Sequence, residues 1–135
     1  MAKKKRRSKR IKPYKYGQHW DSKLELNHYE ILLAHPLVTI VELQKEFSLM
    51  DGFDYIDFPS KRKRKFARMR YTCDFMIEIV GYDKPVVFES KGYPRKDYAI
   101  RKKIFINKYG NDYYFYECRS VKQLNEMLKG VESIE

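Results

Sequence analysis

The stretch that decides the fold is Tyr71-Thr72-Cys73-Asp74-Phe75-Met76-Ile77-Glu78-Ile79-Val80, then Gly81-Tyr82-Asp83-Lys84-Pro85, then Val86-Val87-Phe88-Glu89-Ser90-Lys91-Gly92. Its first ten residues alternate. Tyr71, Cys73, Phe75, Ile77 and Ile79 fall on one face and Thr72, Asp74, Met76 and Glu78 on the other, the period of a strand with one polar side. The next five supply turn chemistry, and Val86 to Lys91 reads as a second strand that ends at Gly92. With a simple turn centred on Tyr82-Asp83, paired residue numbers sum to 165, so Asp74 lies across from Lys91 and Glu89 across from Met76. Asp74 and Glu89 are then diagonal neighbours on one face, with Cα atoms roughly 7–8 Å apart.

Two carboxylates at that spacing can converge on one divalent cation, with the ammonium of Lys91 beside them. Mg²⁺ takes hard oxygen ligands, keeps several waters and is completed by phosphate oxygens. A bound metal lowers the pKa of its water and steadies the charge of a phosphorane-like transition state. Lys91 can orient or deprotonate that water, or neutralise the charge directly. The same residues can equally form a cross-strand salt bridge on a solvated face, and hairpin geometry alone does not separate the two.

Working outward, Asp21 to about His35 carries Leu24, Tyr29, Ile31, Leu32 and Leu33 at helical spacing, and Pro36 stops the helix. Val38 to Leu49 favours one or two strands, and Asp51 to Ser60 reads as a turn and irregular segment. Residues 61–70 fit either a loop or a strand extension. Downstream, Asp97 to about Tyr109 reads as a helix with Ile100, Ile104 and Phe105 on one side and Lys96, Arg101, Lys102, Lys103 and Lys108 elsewhere. A short aromatic strand, Asp112 to Cys118, and a closing helix, Val121 to Leu128, complete the order helix, strands, hairpin, helix, strand, helix.

With 135 residues, 43% of them hydrophobic and twelve Tyr and eight Phe among them, the chain has the apolar content for one packed domain and is too short for two ordinary ones. Residues 1–18, basic and without an apolar period, read as a disordered arm ahead of a single domain over 19–135. The net charge of +11 is local. Lys3, Lys4, Lys5, Arg6, Arg7, Lys9, Arg10 and Lys12 supply eight positive charges, and Lys61, Arg62, Lys63, Arg64, Lys65, Arg68 and Arg70 supply seven; without these fifteen the remainder stands at −4. Such blocks attract polyanions, because each cation that neutralises a phosphate releases condensed counterions. A solubilising tail and a solvated loop have the same composition.

The stretch Tyr71-Thr72-Cys73-Asp74-Phe75 followed by Val86-Val87-Phe88-Glu89-Ser90-Lys91-Gly92 resembles the signature of the PD-(D/E)xK nucleases, with Asp74 as first acid and Glu89-Ser90-Lys91 as the (D/E)xK half. Cys73 stands where the Pro of the name would be. Ser22-Lys23-Leu24-Glu25, Glu42-Leu43-Gln44, Asp74-Phe75 and Glu89-Ser90-Lys91-Gly92 together resemble small phage and prophage nucleases, from about residue 20 to 118. The resemblance implies an α/β fold, a restriction-endonuclease-like mixed central sheet flanked by helices. It also implies a Mg²⁺-dependent endonuclease, with Mn²⁺ substituting, that acts on branched DNA in the manner of a Holliday-junction resolvase, as a homodimer in the host cytoplasm. Under it Asp74, Glu89 and Glu25 are metal ligands and Lys91 is catalytic. Gln44 contacts substrate or a metal water, and Lys61, Arg62, Lys63, Arg64, Lys102 and Lys103 hold DNA. Two local readings compete: Ser22 and Glu25 also spell a helix capping box, and Gln44 also fits a polar strand edge. Other phage nuclease roles, whether nicking, site-specific or exonucleolytic, fit the same motif. A non-catalytic DNA-binding protein fits the charge.

His19, His28 and His35 lack metal-ligand spacing and read as ordinary helix or surface residues, Trp20 as a core anchor, and Cys73 and Cys118 as reduced core thiols. The basic N-terminus has no apolar segment behind it and no run reaches membrane-span length, so the expectation is a soluble, intracellular protein without a membrane partner.

Overall fold

The structure, a computed structural model, describes residues 12–91 and 96–133. Most of the basic arm, and Gly92 of the motif, lie outside them. Tyr16 (φ 57°) and Gly17 (φ 77°) supply the two left-handed residues of a tight turn, which joins β1 (Tyr14–Lys15) to β2 (Gln18–His19). Residues 14–18, expected to belong to the arm, therefore form a small hairpin with His19. It is tied to Trp20, whose N–H donates to the Pro13 carbonyl at 2.8 Å and whose Nε1 donates to that of Lys15 at 2.9 Å. Trp20 is buried, as its reading as a core anchor requires.

Helix α1 (Lys23–Ala34) is capped by Ser22, whose Oγ accepts from the Glu25 N–H at 3.1 Å. Its Leu32 is buried while Leu33, expected on the same apolar face, is 53% exposed. Strands β3 (Val38–Leu43), β4 (Glu46–Met50), β5 (Phe53–Ile56), β6 (Lys63–Phe66), β7 (Met69–Thr72), β8 (Phe75–Ile79) and β9 (Val86–Ser90) follow. Then come α2 (Lys96–Tyr109), β10 (Tyr114–Cys118) and α3 (Val121–Glu132), capped by Ser120. The expected irregular segment 51–60 instead contains β5, which pairs with β6 out of the basic cluster.

The central sheet runs β10-β9-β8-β3; β9 and β10 are parallel and the other pairs antiparallel. The fold is mixed α/β. One face packs Phe75, Ile77, Val86 and Phe88 against Trp20, Leu32 and the α3 residues Leu124, Leu128 and Val131. The other packs Val87 with Phe47, Tyr71, Cys73 and the α2 residues Tyr98 and Phe105. Both cysteines are free and buried. On the inner side of α2 Phe105 is buried and Ile104 packs beside it as expected, whereas Ile100 is 59% exposed and Tyr98 is buried in its place.

The expected single strand from Tyr71 to Val80 is broken at Cys73-Asp74. Pairs Leu43↔Phe75 and Glu46↔Thr72 both sum to 118. The two positions between them continue the register, with Gln44 N–H donating to the Asp74 carbonyl at 3.0 Å and Cys73 N–H to that of Lys45 at 3.1 Å. One long antiparallel pair thus bends at Gln44, which adopts a left-handed φ of 51°. Tyr71 and Cys73 enter the α2 core, and Phe75, Ile77 and Ile79 the α1/α3 core. What looked like one apolar face is divided between two layers by the bend.

Candidate active site

The first requirement of the site is the pairing of β8 with β9, and it differs from the simple turn. The pairs Phe75↔Phe88, Met76↔Val87 and Ile77↔Val86 sum to 163, not 165. Pro85 has no N–H to offer a ladder, and its carbonyl accepts from Tyr114 N–H at 2.9 Å. Pairing therefore starts at Val86. Glu78 and Ile79 stay paired with β3, Tyr82 N–H closes on the Ile79 carbonyl at 3.2 Å, and Gly81 takes φ 92°. Two residues of shift change the site: the next positions beyond Phe75↔Phe88 are Asp74 and Glu89. The carboxylates thus come into register with each other rather than lying on a diagonal, and Lys91 is not across from Asp74.

Each side chain is fixed by a different neighbour. Ser90 N–H donates to Asp74 Oδ2 at 2.7 Å, beside the bend at Gln44. Tyr71, carried to the α2 layer by that bend, donates its hydroxyl to Glu89 Oε2. Lys91 keeps its backbone N–H on the Cys118 carbonyl at 3.0 Å and places Nζ 3.6 Å from Glu89 Oε1 and 4.6 Å from the centre of the Tyr98 ring. Glu25, on the first turn of α1, is buried and feels the charge of Asp74. Of the capping box, the bond from Glu25 N–H to Ser22 is formed. The Glu25 carboxylate lies toward the backbone of Asp21 and the Asp74 side.

A salt bridge built for stability lowers the pKa of its carboxylates, and this group behaves otherwise. Burial, reinforced by Asp74, pushes Glu25 up to about 8. Glu89 rises to about 8 from burial and Asp74, although Tyr71 and Lys91 oppose the rise. Burial raises Asp74 to about 6 against the pull of the Ser90 N–H and Lys91. The site holds more buried carboxylate than one ammonium neutralises. That is the donor chemistry a hard divalent cation relieves.

Among the described residues no three His, Cys, Asp or Glu side chains gather tightly enough to cage a metal ion by themselves. Mg²⁺ requires no such cage, since one or two carboxylates, waters and substrate phosphate oxygens complete it. The donors fit that ion: Asp74 and Glu89 are neighbours in register, and the buried Glu25 feels the charge of Asp74. Glu89 and Lys91 line a cleft of about 640 Å³ together with Tyr71 and Tyr98 and the cations Lys12, Arg70 and Arg101, whereas Asp74 and Glu25 lie outside its lining.

Other expected site residues lie elsewhere. Gln44 is exposed at the bend, and its backbone rather than its side chain meets Asp74. Lys61, Arg62, Lys63 and Arg64 are exposed on and beside β6 and do not line the cleft. Lys102 pairs with Glu117 at 3.5 Å, and Lys103 is exposed on α2. Glu117 itself is the in-register neighbour of Glu89 on β10 and is answered by Lys102 and Arg119. His28, read as an ordinary helix residue, is fully buried, with Nδ1 against Ser90 Oγ and Nε2 3.6 Å from Cys118 Sγ. His28 and Tyr71 give no sign of their roles in the sequence because each acts through a tertiary contact with a residue distant in the chain.

No curated protein and no solved structure matches the chain. A family model described as "Protein of unknown function (DUF1064)" matches residues 3–125, which take in Glu25, Asp74, Glu89 and Lys91. That match covers nearly the whole chain, and the protein belongs to the DUF1064 family.

Proposed function

We propose that this protein is a Mg²⁺-dependent endonuclease that hydrolyses phosphodiester bonds in DNA. Its preferred substrate is branched DNA such as a four-way junction, and a homodimer brings two sites to paired strands. The observation that carries this reading is the register that sets Asp74 beside Glu89, with Lys91 3.6 Å from Glu89 at a cleft that Lys12, Arg70 and Arg101 also line. The resemblance to PD-(D/E)xK nucleases supports it, and the mixed α/β fold is consistent with what that resemblance implies.

In this reading Asp74 and Glu89 hold the cation, which when bound supplies Lewis-acid charge stabilisation and acidifies water. Tyr71 holds the Glu89 carboxylate and the Ser90 N–H holds that of Asp74. Lys91 Nζ, steadied by Glu89 and the Tyr98 ring, orients the attacking water and offsets charge on the phosphoryl oxygens. Arg70 and Arg101 at the cleft edge receive the backbone phosphates on either side.

The ion pair between Lys91 and Glu89 favours a second reading, a DNA-binding protein whose acids only build salt bridges. A cleavage assay with Mg²⁺ or Mn²⁺ on labelled four-way junction, flap, nicked and linear duplex DNA separates the two. Symmetric junction cutting that Glu89→Ala lacks is the expected result. Cutting of linear duplex keeps the nuclease and removes the junction preference, whereas tight binding without metal-dependent cutting sinks the enzyme.

A further inference from the structure

Strands β5 and β6 form a two-stranded ribbon in which every residue is exposed on both faces. An isolated ribbon of this kind has little stability of its own, and this one bares apolar side chains. The pairs Phe53↔Phe66 and Tyr55↔Arg64 share one face, where Phe53 and Phe66 stack at 4.9 Å and the Arg64 guanidinium covers Phe66 at 4.8 Å. The other face carries Asp54↔Lys65 and Ile56↔Lys63, with Lys63 bonded to Asp54 at 3.2 Å. At the tip Phe58 is 92% exposed, the most exposed of the large apolar side chains among the described residues, and Lys61 and Arg62 flank it on the return.

The base of the ribbon is close-packed. At its base a side chain on Gly52 would meet the Phe66 carbonyl oxygen at 3.0 Å and the Arg68 nitrogen at 3.2 Å, so backbone packs on backbone there. Its return strand leads within five residues to Arg70 and Tyr71 of the cleft. Four residues per strand give a reach of about 14 Å, and a two-stranded ribbon fits a DNA groove. Aromatic and proline wedges at the end of basic elements unstack base steps and bend the duplex.

We propose that the β5–β6 ribbon is a DNA-deforming wedge: its basic residues straddle the backbone while Phe58 enters a base step beside the branch point. This deepens the nuclease reading and rests on it for the branched substrate. Phosphate contact alone explains the cations but leaves Phe58, Tyr55 and Phe53 in water without a role. A wedge uses both, since stacking on an aromatic ring tolerates any base and suits recognition of shape rather than sequence.

The test uses the full chain in EDTA, so that no strand is cut. The probes are a four-way DNA junction and a continuous duplex, each with 2-aminopurine at successive positions. Binding by the native chain raises the fluorescence next to the branch. Phe58→Ala abolishes the rise and weakens junction binding by roughly tenfold, with the salt dependence unchanged because every phosphate keeps its cation. Phe58→Trp restores the signal. Since Phe58 packs on nothing, the thermal melts of these variants coincide with that of the native chain. A Phe58→Ala protein that binds and unstacks like the native one overturns the wedge. So does loss of a dimer in that variant by sedimentation, which makes the ribbon an interface between copies. Co-sedimentation with phosphatidylcholine–phosphatidylserine vesicles in place of base unstacking also overturns it. Phe58-dependent unstacking without Mg²⁺-dependent cutting overturns the nuclease and leaves the wedge, and cutting without Phe58-dependent unstacking does the reverse.

Discussion

The hairpin of β8 and β9 and the ribbon of β5 and β6 are both antiparallel pairs of short strands, yet they distribute polarity in opposite ways. The first buries Glu89 and brings it beside Asp74 under a roof of tyrosines. The second leaves Phe53, Tyr55, Phe58 and Phe66 in solvent among lysines and arginines. Hidden carboxylates and bared aromatics each oppose folding. Where a chain breaks such rules twice, the departures mark places selected for something other than stability. The two regions are also adjacent in sequence: the ribbon returns through β7, whose Tyr71 holds Glu89.

The sharpest way to break the contrast is to remove its buried half. Glu89→Ala and Lys91→Ala are each expected to lower single-turnover cleavage of a four-way junction in Mg²⁺ by roughly 10²–10³-fold or more. Junction affinity should change little, because other residues hold the phosphates. A Lys91→Ala protein that cuts at the native rate refutes the site. Removing residues 1–11, with seven Lys and Arg, is expected to act the other way round. Binding weakens by about tenfold or more, and the slope of log affinity against log salt flattens by close to one for each phosphate the arm no longer neutralises. A titration at several salt concentrations measures both.

The contrast was only partly legible in the sequence. Alternation from Phe75 to Ile79 and the β-branched run after Pro85 placed the two strands, and Asp74, Glu89 and Lys91 were found together because acids and a lysine at strand ends are conspicuous. The register was not legible, since it depends on Pro85 giving its carbonyl to Tyr114 on a strand some thirty residues away. Nor was the bend at Gln44, a left-handed residue with none of the Gly or Asn that usually announces one. The ribbon was invisible for a related reason: with both faces in water, β5 and β6 lack the apolar-polar period by which strands are recognised.

Tyr71→Phe separates the support of the site from the site itself. The ring still packs on Phe105 and Phe115, so the fold is retained. The missing hydroxyl is one of the groups that hold the Glu89 pKa down. Its removal should raise the Mg²⁺ concentration for half-maximal cleavage several-fold at pH 7, with the gap closing toward pH 9 as Glu89 deprotonates in either protein. Equal Mg²⁺ curves for the two proteins at pH 7 would show that Tyr71 only fills space.

Without metal, the same carboxylates govern stability. Glu25 and Glu89 have folded pKa values near 8, above the unfolded value of about 4.3, so the folded state binds more protons. Their contribution is fully present below the unfolded pKa and is lost as pH rises through the folded one. His28, whose pKa burial lowers, works in the opposite sense below about pH 6.5. The clean window is therefore pH 6.5 to 8.5, across which Tm in EDTA is expected to fall by several degrees. Mg²⁺ or Glu25→Gln should flatten the fall; a Tm that rises over this window contradicts the burial of these acids.

The smallest effect is expected at the joint between the two regions. Gln44 holds φ 51° so that β4 and β7 can leave the plane of the central sheet, and its N–H anchors the Asp74 carbonyl. For a residue with a Cβ that conformation costs about 1 kcal/mol, and glycine removes the cost while keeping the N–H. Gln44→Gly should thus leave Tm within a few degrees and cleavage nearly native. Gln44→Pro, which cannot donate and cannot adopt the angle, should disturb the setting of Asp74 and lower both. If Gln44→Gly instead lost cleavage at unchanged Tm, the side chain rather than the bend would be what the site requires, and the exposed amide would become a substrate-binding group in its own right.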